Sequence, residues 1–106
     1  PGDYASLVKR LRPLRAAGKT IHMTLGNHDD RENFRAGIDE AREGHGNVAG
    51  KHAVVLKTAH ANWFLLDSLE AVNKTPGSLG EEQLSWLAKE LDANKDKPAI
   101  LFGHHN

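Results

Sequence analysis

The chain has 106 residues, 39% of them hydrophobic, enough for one small domain with a modest core. Fourteen basic and fourteen acidic residues cancel to a formal charge of +0, so the basic excess typical of nucleic-acid and anionic-membrane surfaces is missing. Cysteine is absent, which removes disulfides and thiolate zinc sites, and no apolar run approaches the roughly 18 residues of a membrane-spanning helix.

Residues 4–16, YASLVKRLRPLRA, place Tyr4, Leu7, Val8, Leu11 and Leu14 at helical spacing, with Lys9, Arg10, Arg12 and Arg15 opposite. Pro13 should kink or shorten the last turn, and Gly18 suits a stop. Residues 20–25, TIHMTL, alternate apolar and polar and read as a strand ended by Gly26. Asp29 or Asp30 can cap a short helix over 31–38. Residues 39–51 have three glycines and little periodicity, and read as a loop.

HAVVLKT (52–58) and NWFLLDS (62–68) read as an antiparallel strand pair. A loop over 69–80 follows, in which Ser78 and Glu81 have capping-box spacing. EEQLSWLAKELDAN then puts Leu84, Leu87, Ala88 and Leu91 on one helical face. After Pro98, AILF forms a last strand that runs into Gly103, His104, His105 and Asn106. The order implies an α/β fold with a mixed sheet.

TIHMTL and AILF each end in a glycine followed by polar residues of ligand type. Binding sites in α/β sheets gather at the carboxyl ends of strands. In Gly26-Asn27-His28-Asp29, the Asn27 carboxamide oxygen is a hard neutral donor for a divalent metal. His28 can donate to a phosphoryl oxygen or protonate a leaving group, and Asp29 can fix its tautomer. The competing reading is an Asx turn that caps the next helix. In His104-His105, neighbouring side chains of an extended chain diverge, so one imidazole is a metal-ligand candidate and the other faces substrate or solvent. His22 reads as a structural or surface residue, His52 and His60 as surface residues, and Trp63 and Trp86 as packing residues.

LGNHDD resembles the GNH[DE] motif of calcineurin-like metallophosphoesterases, and FGHHN resembles their later strand-then-His motif. NWFLLDS, the Gly-Ser-Leu-Gly before a helix and QLSWLAKEL also resemble segments that these enzymes carry between the two motifs. The resemblance covers nearly the whole chain and corresponds to the middle of the family's domain. It implies a fragment of a four-layer α/β/β/α sandwich, one partial domain over residues 1–106. It further implies two divalent ions (Mn, Fe, Zn or Mg) that activate water and clamp the phosphoryl oxygens of a small phosphoester substrate.

Carried onto this chain, the resemblance makes Asn27 and His104 metal ligands, His28 the phosphate-contacting catalytic residue and Asp29 the residue that orients it. His105 and Arg31 become candidate substrate contacts. The family's opening D-x-H and closing G-H-x-H motifs are absent. Gly2-Asp3 has the letters of its G-D motif, but no hydrophobic strand precedes them, and Asp3 reads instead as a helix N-cap. The chain thus reads as a piece of a longer protein, unable to complete a dinuclear site by itself. The expected function is metal-dependent phosphodiesterase or phosphatase chemistry. The alternative is a non-catalytic binding or structural module of the same fold, marked by background metal content. A nuclease is disfavoured by the zero net charge.

Overall fold

A computed structural model describes residues 2–105; Asn106, the end of the second polar cluster, lies outside the described residues. Helix α1 (Gly2–Ala16) is followed by α2 (Arg31–Gly37) and a 3-10 turn (Asp39–Arg42). Strands β1 (Val54–Lys57) and β2 (Asn62–Leu65), helix α3 (Glu81–Ala93) and strand β3 (Ala99–Phe102) complete the order. The sheet has the order β1-β2-β3. β1 pairs antiparallel with β2, with Val55 opposite Phe64, and β2 pairs parallel with β3, with Phe64 opposite Leu101. This is the mixed sheet of an α/β chain. Among the described residues no helix is long and apolar enough to cross a membrane.

Two apolar clusters form. Leu25, Phe34, Ile38, Ala41 and Leu69 make the first, with Tyr4, Val8 and Met23 against it. Phe64, Leu66 and Leu87 make the second, with Val55, Leu79, Trp86 and Leu91 against it. The chain passes from one to the other between Leu66 and Leu69. Alternation along β2 explains the second cluster: Phe64 and Leu66 face α3, while Trp63 and Leu65 line a cleft on the other side.

Several expectations need correction. Asp3, expected as the N-cap of the first helix, lies inside the first turn of α1. Pro13 does not end α1, which runs on to Ala16. The helix has no buried residue, so the carbonyl that Pro13 leaves unpaired can face water, and the chain beyond is closed by Ala17 N donating to Pro13 O at 3.0 Å. Leu7 and Leu14 are exposed, and the inward side carries Tyr4, Val8, Leu11 and Arg15. Asp30, rather than Asp29, caps α2: its side chain accepts from Asn33 N at 2.8 Å. Ser78 makes no cap for α3, whose N-cap is Gly80. The buried face of α3 is Gln83 and Leu87, with Leu84 exposed.

The largest departure concerns residues 20–25, which join no strand ladder. Their alternation still holds, since Leu25 is buried and His22 exposed. A cleft of about 360 Å³, lined by His22, Met23, Thr24, Leu56, Trp63 and Phe102 among others, separates the segment from the sheet. Side chains tie it down instead of a ladder. Thr24 Oγ1 donates to Leu66 O at 2.7 Å, and His52 Nε2 donates to Met23 O at 2.9 Å.

Candidate functional site

The site begins where the two glycine-ended segments meet. Thr24 fastens residues 20–26 to the chain just past β2. Leu66 N donates to Phe102 O at 2.8 Å and fastens the end of β3 to the same place. Residues 77 apart in sequence therefore become neighbours: His104 Nε2 lies 3.1 Å from Asn27 Oδ1. The His104 ring packs on Gly26, where an added Cβ would stand 3.2 Å from its Cε1. A side chain there would press on the imidazole and make the exposed ring shift by a few tenths of an ångström.

This is hydrogen-bond distance, and it is also a spacing that a shared cation would accept. Two donors bound at about 2.1 Å to one zinc or magnesium ion lie roughly 3.0–3.4 Å apart at right-angled or tetrahedral positions. An amide oxygen and an imidazole nitrogen are compatible with Mn, Fe, Zn or Mg. By itself the pair would not complete a coordination set. Among the described residues no group of three or more His, Cys, Asp or Glu side chains gathers to hold a metal.

Residues 27–28 form a turn closed by Asp29 N donating to Gly26 O at 3.1 Å. Asp29 spends its carboxylate on that turn. Oδ2 accepts from Gly26 N at 2.7 Å, and Oδ1 accepts from the Tyr4 hydroxyl at 2.7 Å. Burial, and then the hydrogen bond to this carboxylate, push the Tyr4 phenol well above its ordinary range. The His28–Asp29 contact expected from the sequence is not formed. His28 pairs with Asn73, whose Oδ1 lies 2.7 Å from Nδ1. Asp29 shapes the loop that presents His28, and Asn73 holds the ring. His28 is exposed, so its edge is open to a ligand.

The two candidate substrate contacts lie elsewhere. Arg31 donates through Nε to Asp67 Oδ2 at 2.8 Å and through Nη2 to Asp67 Oδ1 at 3.1 Å, and Nη2 also donates to Leu69 O. Its guanidinium is committed to a fully buried carboxylate. His105 turns inward, with Nδ1 2.7 Å from Ser68 Oγ and Nε2 buried without a partner among the described residues. The His104 and His105 rings do not diverge as expected of an extended chain: they meet edge to face with centroids 5.0 Å apart, although each ring has a different polar partner.

Asp67 is the hub beneath the site. Its carboxylate also accepts from His52 N at 2.9 Å and Leu69 N at 3.0 Å. Gln83 reaches up from α3 and treats Asp67 as a strand would: its Oε1 accepts from Asp67 N and its Nε2 donates to Asp67 O. Lys51 Nζ donates to the carbonyls of Leu69 and Ser78, and burial lowers its pKa. His52, expected at the surface, is 2% exposed and packs edge-on against Phe34 at 5.0 Å.

Sequence reasoning missed Asn73, Ser68 and Gln83. For Gln83 a signal existed, since it lies one turn before Leu87 on the inward stripe. Asn73 sits in an aperiodic loop and Ser68 at the last position of the NWFLLDS run, and neither gives one.

A curated protein from Arcobacter nitrofigilis, named as a probable glycerophosphodiester phosphodiesterase GpdQ, is 35% identical to the chain over 85 residues. The match covers 80% of this chain and 30% of that protein, so the chain spans about 30% of the length of the curated relative it matches. No family model matches the chain, and no solved structure matches it.

Proposed function

We propose that the chain is the central part of a calcineurin-like metallophosphoesterase domain of four-layer α/β/β/α form that hydrolyses a small phosphodiester or phosphomonoester. The observation that carries this reading is the approach of His104 Nε2 to Asn27 Oδ1, 3.1 Å apart at the ends of two segments that both run into a glycine. The similarity to a protein named as a phosphodiesterase supports the same reaction class.

Asn27 and His104 would hold one of two divalent ions, with further ligands from outside this stretch. Such ions supply a nucleophile at neutral pH and charge for the phosphoryl oxygens. This chain's own part is positional and protonic. Gly26 admits the His104 ring, Asp29 and Tyr4 set the loop, and His28 presents Nε2 to the phosphoester. Protonated, that nitrogen neutralises charge on the phosphoryl group and gives its proton to the departing oxygen. Arg31 takes no part in contacting substrate.

The test uses the complete protein that carries this stretch. His28→Ala and Asn27→Ala should each lower turnover of a phosphodiester at least about 100-fold with the unfolding midpoint kept. Near-normal turnover in either variant sinks the reading. Asn27→Ala should also weaken metal binding measured by equilibrium dialysis, a readout independent of turnover.

A further inference from the structure

We propose that Asn73 is the positioning residue of His28, setting both its tautomer and the direction of its free nitrogen. This rests on the reading of His28 as the group that meets the phosphoester. Asn73 lies 45 residues from His28 in sequence, in the loop between β2 and α3. It touches the Asn27-His28 turn twice. Its backbone N donates to Asn27 O at 2.6 Å, and its Oδ1 lies 2.7 Å from His28 Nδ1. The residue has φ +61°, in the left-handed region that asparagine tolerates better than most residues. That conformation allows the backbone and side chain of one residue to grip two consecutive residues of the site loop.

The chemistry follows from what an amide oxygen can do. Oδ1 only accepts, so Nδ1 of His28 must carry the hydrogen, which leaves the lone pair on Nε2. Neutral histidine free in water favours the opposite form, with hydrogen on Nε2. Asn73 therefore imposes the less common tautomer, and Nε2 is left to take up a proton and pass it on. The partner is also uncharged. A carboxylate in its place would fix the ring equally well but would repel an anionic substrate.

The decisive experiment reads the His28 imidazole nitrogens of the full chain by 15N NMR at alkaline pH, where the ring is neutral. Wild type should show hydrogen on Nδ1. Asn73→Gly keeps the left-handed backbone and should shift His28 mainly to the Nε2–H form. Asn73→Asp restores an acceptor and should restore Nδ1–H. A wild-type ring that is mainly Nε2–H, or an Asn73→Gly ring unchanged from wild type, overturns the proposal. In the complete protein, Asn73→Gly should lower kcat roughly tenfold with KM little changed. Asn73→Asp should keep kcat and raise KM for an anionic phosphodiester. The tautomer is read without turnover, so the two readings fail separately. An active wild-type enzyme with the wrong tautomer removes Asn73 alone. An inert wild type with the expected tautomers removes the phosphoesterase reading and keeps Asn73 as the partner of His28.

Discussion

Two polar groups of residues lie close in the chain and are built in opposite ways. Around Asp67 the polar groups are tied to one another. Its carboxylate has no exposure and accepts four hydrogen bonds, two from Arg31 and one each from the backbone of His52 and Leu69. Around Asn27, His28 and His104 the contacts are few, at the surface, and leave ring edges uncovered. The first group joins the cluster under α1 and α2 to the cluster under α3, because its members come from both sides. The second holds little together. Polar residues near a strand end are thus not equivalent: those with saturated bonding are structural, and those with spare capacity are free to meet a ligand.

The contrast can be broken most directly at Asp67. Asp67→Ala strands the Arg31 guanidinium and two buried amides, and should cost about 3–5 kcal/mol, seen as a large fall in the urea midpoint. Asn27→Ala should leave the same midpoint nearly unchanged, within about 0.5 kcal/mol, although it removes a candidate ligand. Equal destabilisation by the two changes would erase the distinction.

Arg31 sharpens the comparison, because the sequence places it beside the GNHD motif while the fold places it with Asp67. Arg31→Met keeps the stem and leaves a buried carboxylate unpaired, so about 3 kcal/mol of stability should go. Arg31→Lys supplies a charge without the planar fork and should fall in between. A substrate contact would behave differently: KM would rise and stability would hold.

Local pattern explains how much of this was legible in the sequence. The β1–β2 pair was readable as two short apolar runs separated by Ala59-His60-Ala61, and α3 because Leu87 and Leu91 recur one turn apart. AILF was readable as a strand because it is a short apolar run between Pro98 and Gly103. TIHMTL carries an equally clear alternation, yet it pairs with no strand among the described residues. Alternation says which face a residue takes; a ladder also needs a partner edge, and that is not a local property. The GNHD and GHH segments were readable as candidates from residue type alone. Their grouping was not, since Asn27 meets His104 across 77 residues, and Ser68 meets His105 across 37. Asp29 was assigned to His28 because it is adjacent, but adjacency along a turn points side chains apart, and a residue 45 positions away took the contact.

The smallest effect tests the buried group through pH. His52 gives its backbone N to Asp67, and its ring is buried against Phe34 with Nε2 donating to the Met23 carbonyl. Burial lowers its pKa from the ordinary 6.5, so the folded ring resists a proton that the unfolded chain accepts. The unfolded state then binds more protons below that value. Stability is complete above about pH 6.5 and declines as pH falls, until the folded ring is protonated too, at no more than about 1.4 kcal/mol per pH unit. His52→Gln can keep a donor toward Met23 but does not titrate. Its stability should therefore change less than wild type between about pH 6.5 and 5.5, before most carboxylates begin to titrate. The other six histidines are common to both proteins, so the difference between the two curves isolates His52. Parallel curves would mean that the ring is as easily protonated folded as unfolded, and the closed character assigned to the Asp67 side would not extend to it.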